Sequence, residues 1–118
     1  MKEGVVALIY RGVKILGVSR KDNPEDFGLI GGKVEGNENK AWALKREIYE
    51  ETGLNIICGK LIFKRTDNDF MCYTYLCDVE GEIKTTETGV VKEITWEDLF
   101  KGSFGDYNRQ LFNHLQNG

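Results

Sequence analysis

The stretch from Gly32 to Leu54, GKVEGNENKAWALKREIYEETGL, constrains this chain more than any other. It reads as a glycine turn, a lone acid at Glu38, and a helix that carries Arg46, Glu47, Glu50 and Glu51 and closes at Gly53. At about 100° per residue, Glu47, Glu50 and Glu51 project from one side of that helix. Ala41, Leu44 and Ile48 fall on an adjacent side, so acids and core are segregated. Glu47 and Glu51 are an i,i+4 like-charge pair, which costs stability in an isolated helix. Arg46 can reach Glu50 at i+4, but no cation on the helix is expected to sit among all three acids. A divalent cation would resolve the repulsion, and oxygen-only ligands at this density suit Mg²⁺ or Mn²⁺. A metal site is expected here. The plainer alternative is a salt-bridged, solvated helix after a glycine turn.

The spacing of these residues carries a resemblance. Gly32, five residues, Glu38, seven residues, Arg46-Glu47-Ile48, one residue, Glu50-Glu51, one residue and Gly53-Leu54 together resemble a complete Nudix box. No fixed position is missing, the aliphatic slots at Ile48 and Leu54 included. The resemblance implies an α/β fold, an α/β/α sandwich with a mixed β-sheet between helices, as one domain over residues 1–118. It implies hydrolysis of a nucleoside diphosphate linked to another group, with Mg²⁺ as cofactor and Mn²⁺ as a possible substitute. It also implies that the backbone carbonyl of Gly31 is a metal ligand and that Lys33 lies near phosphate.

Such a reaction needs an activated water and neutralised phosphoryl charge. Glu50 and Glu51 are expected as inner ligands, and Glu47 as a ligand or the local base. Arg46 would fix a glutamate by a charge-assisted bond instead of touching substrate. Glu38 would bind through water or hold the loop, and Gly32 and Gly53 would shape the backbone. Family members differ over which acid is the base, and Glu87 is the best candidate outside the box; a surface acid is its ordinary alternative.

Substrate is less constrained. Pro24 is the only proline and precedes the box, so the downstream proline associated with ADP-ribose hydrolases is absent. Tyr73 and Tyr75 only loosely match the tyrosine associated with dinucleoside polyphosphate hydrolases. By elimination, the chain most resembles nucleoside triphosphate pyrophosphohydrolases of the MutT kind. A nucleotide sensor without turnover and a simple cation-binding module are the readings from other classes.

Composition narrows the partners. The 118 residues carry a formal net charge of −3 with the acids concentrated near the box, so no footprint for long nucleic acid is expected. Cys58, Cys72 and Cys77 show no CxxC spacing, and an odd count reads as reduced, buried thiols of a cytoplasmic protein. No signal-like or membrane-spanning run is evident. A small nucleotide is the expected partner of a monomer or homodimer.

Along the chain, residues 4–10 and 14–19 read as a hairpin about Arg11-Gly12. Residues 20–26 read as a polar loop, a candidate wall of the substrate pocket, where Arg20 and Lys21 could meet phosphate. Phe27–Ile30 reads as a brief strand into paired glycines, which permit positive φ and close backbone approach. Asn39 is a reasonable N-cap for a helix over about 40–52, with Gly53 in the left-handed position after it. Trp42, Lys45 and Tyr49 fall away from the acids and are expected to pack. Residues 56–66 and 70–79 read as strands, the second central. Residues 90–96 return to strand, 97–100 form a helical turn, and Asp106 could cap a final helix whose Tyr107, Leu111, Phe112 and Leu115 share a face. His114 reads as surface or packing. Trp96 and then Phe27 are the aromatic candidates to stack on a base, with core packing as the alternative for Trp96.

Overall fold

The computed structural model describes residues 2–67, 69–84 and 89–117. Its elements are β1 (Lys2–Leu8), β2 (Tyr10–Arg11), β3 (Lys14–Arg20), β4 (Asn23–Lys33), α1 (Lys40–Thr52), β5 (Asn55–Asp67), β6 (Phe70–Glu80), β7 (Val91–Ile94), α2 (Trp96–Lys101) and α3 (Gly105–Asn117). Side chains of a strand alternate between faces, and in β1 that alternation sorts two cores. Val5 and Ala7 join α1 residues Ala43, Leu44 and Ile48 on one face. Val6 and Leu8 join Leu99 of α2 and Leu111 of α3 on the other. The strands therefore lie between helices, and the expected α/β/α arrangement is present.

Among the described residues the sheet has seven strands in the order β2-β3-β4-β1-β6-β5, with β7 paired to β3. β1 runs antiparallel to β4 and parallel to β6, so the sheet is mixed. β6 lies inside the sheet but one strand from its β5 edge, not at its centre. Residues 20–26 are not a loop: β3 turns at Lys21-Asp22 straight into β4, with Arg20 paired to Asn23. Pro24 is accommodated because it stands at the exposed start of β4, beyond a register shift at Ser19/Arg20. Gly31 and Gly32 are strand residues, and neither has positive φ.

Local chemistry fixes the limits of α1. Asn39 accepts the Trp42 amide at 2.8 Å, and Gly53 at φ 79° donates its amide to Tyr49. Trp42 and Tyr49, however, are 57% and 55% exposed and do not pack as expected, because they lie off the α1 face that carries Ala43, Leu44 and Ile48 into the core. α3 starts at Gly105, so Asp106 lies in its first turn and does not precede it as a cap. Of the cysteines only Cys77 is buried, its thiol pushed up to about 12 by burial, while Cys58 is exposed. His114 is exposed and rests its ring on Phe63. Among the described residues no helix is long and apolar enough to cross a membrane.

Candidate active site

α1 and the end of β4 meet through the box residues. The Gly31 amide donates to Glu51 Oε2 at 2.8 Å, so this backbone edge is aimed at the helix. The Glu47 carboxylate lies directly over Gly32: a Cβ there would stand 2.6 Å from Glu47 Cδ. Gly31 is held equally close on its other side, where a Cβ would fall 2.2 Å from the Val5 carbonyl oxygen. Close approach, not unusual φ, is what these two glycines provide.

Arg46 organises the acids. Its Nε and Nη2 donate to the two oxygens of Glu38 at 2.6 and 3.0 Å, a bidentate fork. Nη1 reaches Glu47 at 2.7 Å and Glu50 at 3.3 Å, and Nη2 also donates to the Lys33 carbonyl at 3.0 Å. The guanidinium thus reaches Glu50, as the i+4 spacing predicts, and answers Glu47 by a direct bond as well. Glu38 in addition accepts the Glu35 amide at 2.9 Å and thereby holds the loop before α1.

These contacts divide the acids. Arg46, with the Glu35 amide, holds Glu38 below its ordinary value. Glu47 is raised by burial, which outweighs its bond to Arg46. Glu51 is pushed up to about 8, first by burial and then by the neighbouring Glu47 charge. Glu87 lies outside the described residues.

Beside the box opens a cavity of about 480 Å³. Gly31, Gly32 and Lys33 line it together with Phe70, Phe104, Tyr107 and Asn108. The Lys33 ammonium stands 5.6 Å over the Phe70 ring at its rim. Asn108 is 2% exposed, and its side-chain nitrogen has no hydrogen-bond partner among the described residues.

The other expected pocket residues lie elsewhere. Arg20 sits at the opposite end of β4 from the glycines and pairs with Asp22 at 3.4 Å. Phe27 is buried in the core with Leu99 and Leu111. Trp96 opens α2 and packs on Phe112 and Phe100, at ring distances of 5.2 and 6.2 Å. Tyr73 and Tyr75 pack against the α1-side core. The residues missed in the sequence are Phe70, Phe104, Tyr107 and Asn108. One signal was there: Asn108 is a polar residue three before Leu111 on the packing side of α3.

The family model for the NUDIX domain matches residues 1–111. The chain belongs to the NUDIX domain family. NUDIX relatives include the 8-oxo-dGTP diphosphatase of Buchnera aphidicola subsp. Schizaphis graminum, 35% identical over 92 residues, covering 73% of this chain and 68% of that protein. The rat diphosphoinositol polyphosphate phosphohydrolase 2 is 31% identical over 94 residues, 75% of this chain. The chain spans only 52% of that protein's length. Among solved structures, the MutT NUDIX hydrolase from Burkholderia pseudomallei superposes with a TM-score of 0.76 at 27% identity, covering 96% of each chain. The chain is a NUDIX hydrolase with Glu47, Glu50 and Glu51 of the box on α1, and NUDIX hydrolases generally use divalent metal ions.

Three carboxylates share one guanidinium here with Glu51 beside them, and every charged donor is oxygen, as Mg²⁺ prefers. Among the described residues no three acidic, His or Cys side chains stand as a ready cage, because Arg46 draws Glu38, Glu47 and Glu50 about itself. In chemistry and charge the set fits a divalent cation.

Proposed function

We propose that this NUDIX hydrolase cleaves a nucleoside triphosphate to a monophosphate and pyrophosphate, dependent on Mg²⁺ or Mn²⁺. The observation that carries the reading is the double use of residues 31–33. Their backbone meets Glu47 and Glu51 of the box, and the same residues line an apolar cleft with aromatic walls. A triphosphate at the box would thus have a cleft for its base beside it. Aromatic faces suit base stacking, worth about 1–3 kcal/mol per base in single-strand binders. The unpartnered Asn108 amide supplies a donor inside an otherwise apolar wall.

Glu50, Glu51, Glu47 and the Gly31 carbonyl would hold the metal. When bound, Mg²⁺ supplies a water of lowered pKa and offsets charge on the phosphoryl oxygens. Glu47, raised by burial, is placed to accept the proton of the attacking water. Arg46 fixes the Glu47 carboxylate and ties it to Glu38 and the Lys33 carbonyl. Lys33, at the cleft rim, is positioned to meet phosphate. Inositol polyphosphate, suggested by the rat relative, calls for a wall rich in cations; here Lys33 is the one cationic residue lining the cleft among the described residues.

A panel of nucleoside triphosphates, dinucleoside polyphosphates and diphosphoinositol phosphates, assayed with Mg²⁺ for pyrophosphate and orthophosphate, tests this reading. Pyrophosphate release from a triphosphate is expected, with none in excess chelator. Glu50→Gln and Glu51→Gln should abolish most turnover with folding retained. Nucleotide binding without turnover would leave a sensor instead. Glu47→Gln and Glu87→Gln, compared for kcat, decide the base: a silent Glu47→Gln beside a damaging Glu87→Gln removes Glu47 from that role.

A further inference from the structure

The loop that delivers Phe104 and α3 to the cleft is tied to β4 at one point. Asp26 Oδ1 accepts the Ser103 amide at 2.8 Å, and Asp26 Oδ2 accepts the Ser103 hydroxyl. Gly102 is pressed on the same place: a Cβ there would stand 2.5 Å from the Phe27 carbonyl oxygen and 2.8 Å from Asp26 Oδ1. The Ser103 bonds hold the Asp26 carboxyl below its ordinary value, with Arg20 3.9 Å away as a weaker support. Immediately beyond, the Gly105 amide donates to the Gly102 carbonyl and the Asn108 amide to the Phe104 carbonyl, each at 3.0 Å. The Phe104 ring lies across Gly28 of β4, 3.6 Å from where a Cβ would be, and is 52% exposed. Few packing contacts are therefore available to hold that ring; the backbone on either side must.

We infer that Asp26 and Ser103 form a positioning latch that sets the aromatic wall of the cleft, and through it the affinity for the nucleoside part of the substrate. β4 then serves both halves of the site, with Gly31–Lys33 at one end and the latch at the other. The effect on affinity rests on the cleft being the base site; the effect on the loop does not. Neither latch residue touches the box, so the rate of the chemical step is left alone.

Two measurements separate these claims. Hydrogen exchange at the Gly105 and Asn108 amides should quicken in Asp26→Ala and Ser103→Ala, and return to the parent rate in Ser103→Thr, which keeps the hydroxyl. With dGTP and Mg²⁺, both alanine variants should raise KM by about three- to tenfold, the scale of a typical hydrogen bond's net contribution. Their kcat should stay within about twofold of the parent. Phe104→Ala should raise KM as well, and Ser103→Ala added to it should raise KM no further, because the latch acts through that ring. Unchanged exchange overturns the latch. A KM raised by Phe104→Ala but not by the latch variants overturns its effect on affinity. If Phe104→Ala leaves KM unchanged, the base-site reading fails and exchange alone decides the latch. Should Asp26→Ala not fold, Ser103→Ala carries both measurements.

Discussion

Glu51 receives the Gly31 amide while burial and the Glu47 charge oppose its ionisation, and the balance raises its carboxyl to about 8. In the unfolded chain the same group has an ordinary value of 4.5. The folded, metal-free protein therefore holds a proton that the unfolded chain releases. Its contribution to stability is full below about pH 4.5 and is lost as pH rises through about 8. At about 1.4 kcal/mol per unit, a loss of a few kcal/mol is expected. Urea denaturation in chelator between pH 5 and 9 should show stability falling through that window, and Glu51→Gln should flatten it. Equal slopes for the two proteins would remove Glu51 as the source. Beside it, Arg46→Lys keeps the charge but loses the fork that holds Glu38, Glu47, Glu50 and the Lys33 carbonyl together. A drop in kcat of about tenfold or more is expected, with the far-ultraviolet spectrum unchanged. Full activity in Arg46→Lys would mean that charge alone suffices.

At the scale of elements, β4 and α1 are matched by close approach. Gly32→Ala keeps strand geometry available but puts a methyl where the Glu47 carboxylate now lies. The carboxylate must move, so kcat should fall about tenfold or more while the melting temperature changes little. A parent-like kcat would show that Glu47 can act from elsewhere. Much at this scale was legible in the sequence. Asn39, Gly53, Leu44 and Ile48 delimit and orient α1 by local rules, capping and period, whereas Ala41, the third expected core position, is exposed and Ala43 is buried in its place. β4 was not so legible. A proline and a run of charges at residues 20–26 match the chemistry of a loop, and what makes them a strand is pairing across the sheet with β3. The exposure of Trp42 and Tyr49 was hidden for a similar reason, since the width of the face that a sheet covers is a tertiary fact.

Across the whole molecule, one sheet separates two cores, and the cleft lies at the edge of the second. Box spacing named the acids because they share one short helix. The cleft wall comes from β6, the loop before α3 and α3 itself, residues 70–108 in sequence, so no local pattern announces it. Trp96 illustrates the difficulty, for a strand end beside a turn suits a binding aromatic as well as the ring cluster it joins. Trp96→Leu is expected to lower stability by about 1–3 kcal/mol and leave KM unchanged. Asn108→Leu should do the reverse: removing a buried, unpartnered donor holds or raises the melting temperature, while KM rises. A lowered melting temperature with parent KM would assign Asn108 to the core.

The guanidinium of Arg46 has a consequence for how such an enzyme is controlled. Many small metal sites are the keystone of their fold, and removing the ion brings down the arch. Here the acids of α1 already have an internal cation, bonded to two of them, to Glu38 and to the loop that precedes the helix. A divalent ion bound at these acids would leave without taking the helix with it. Activity in such a protein can follow the supply of free divalent cation on the timescale of binding, with no refolding between one state and the other.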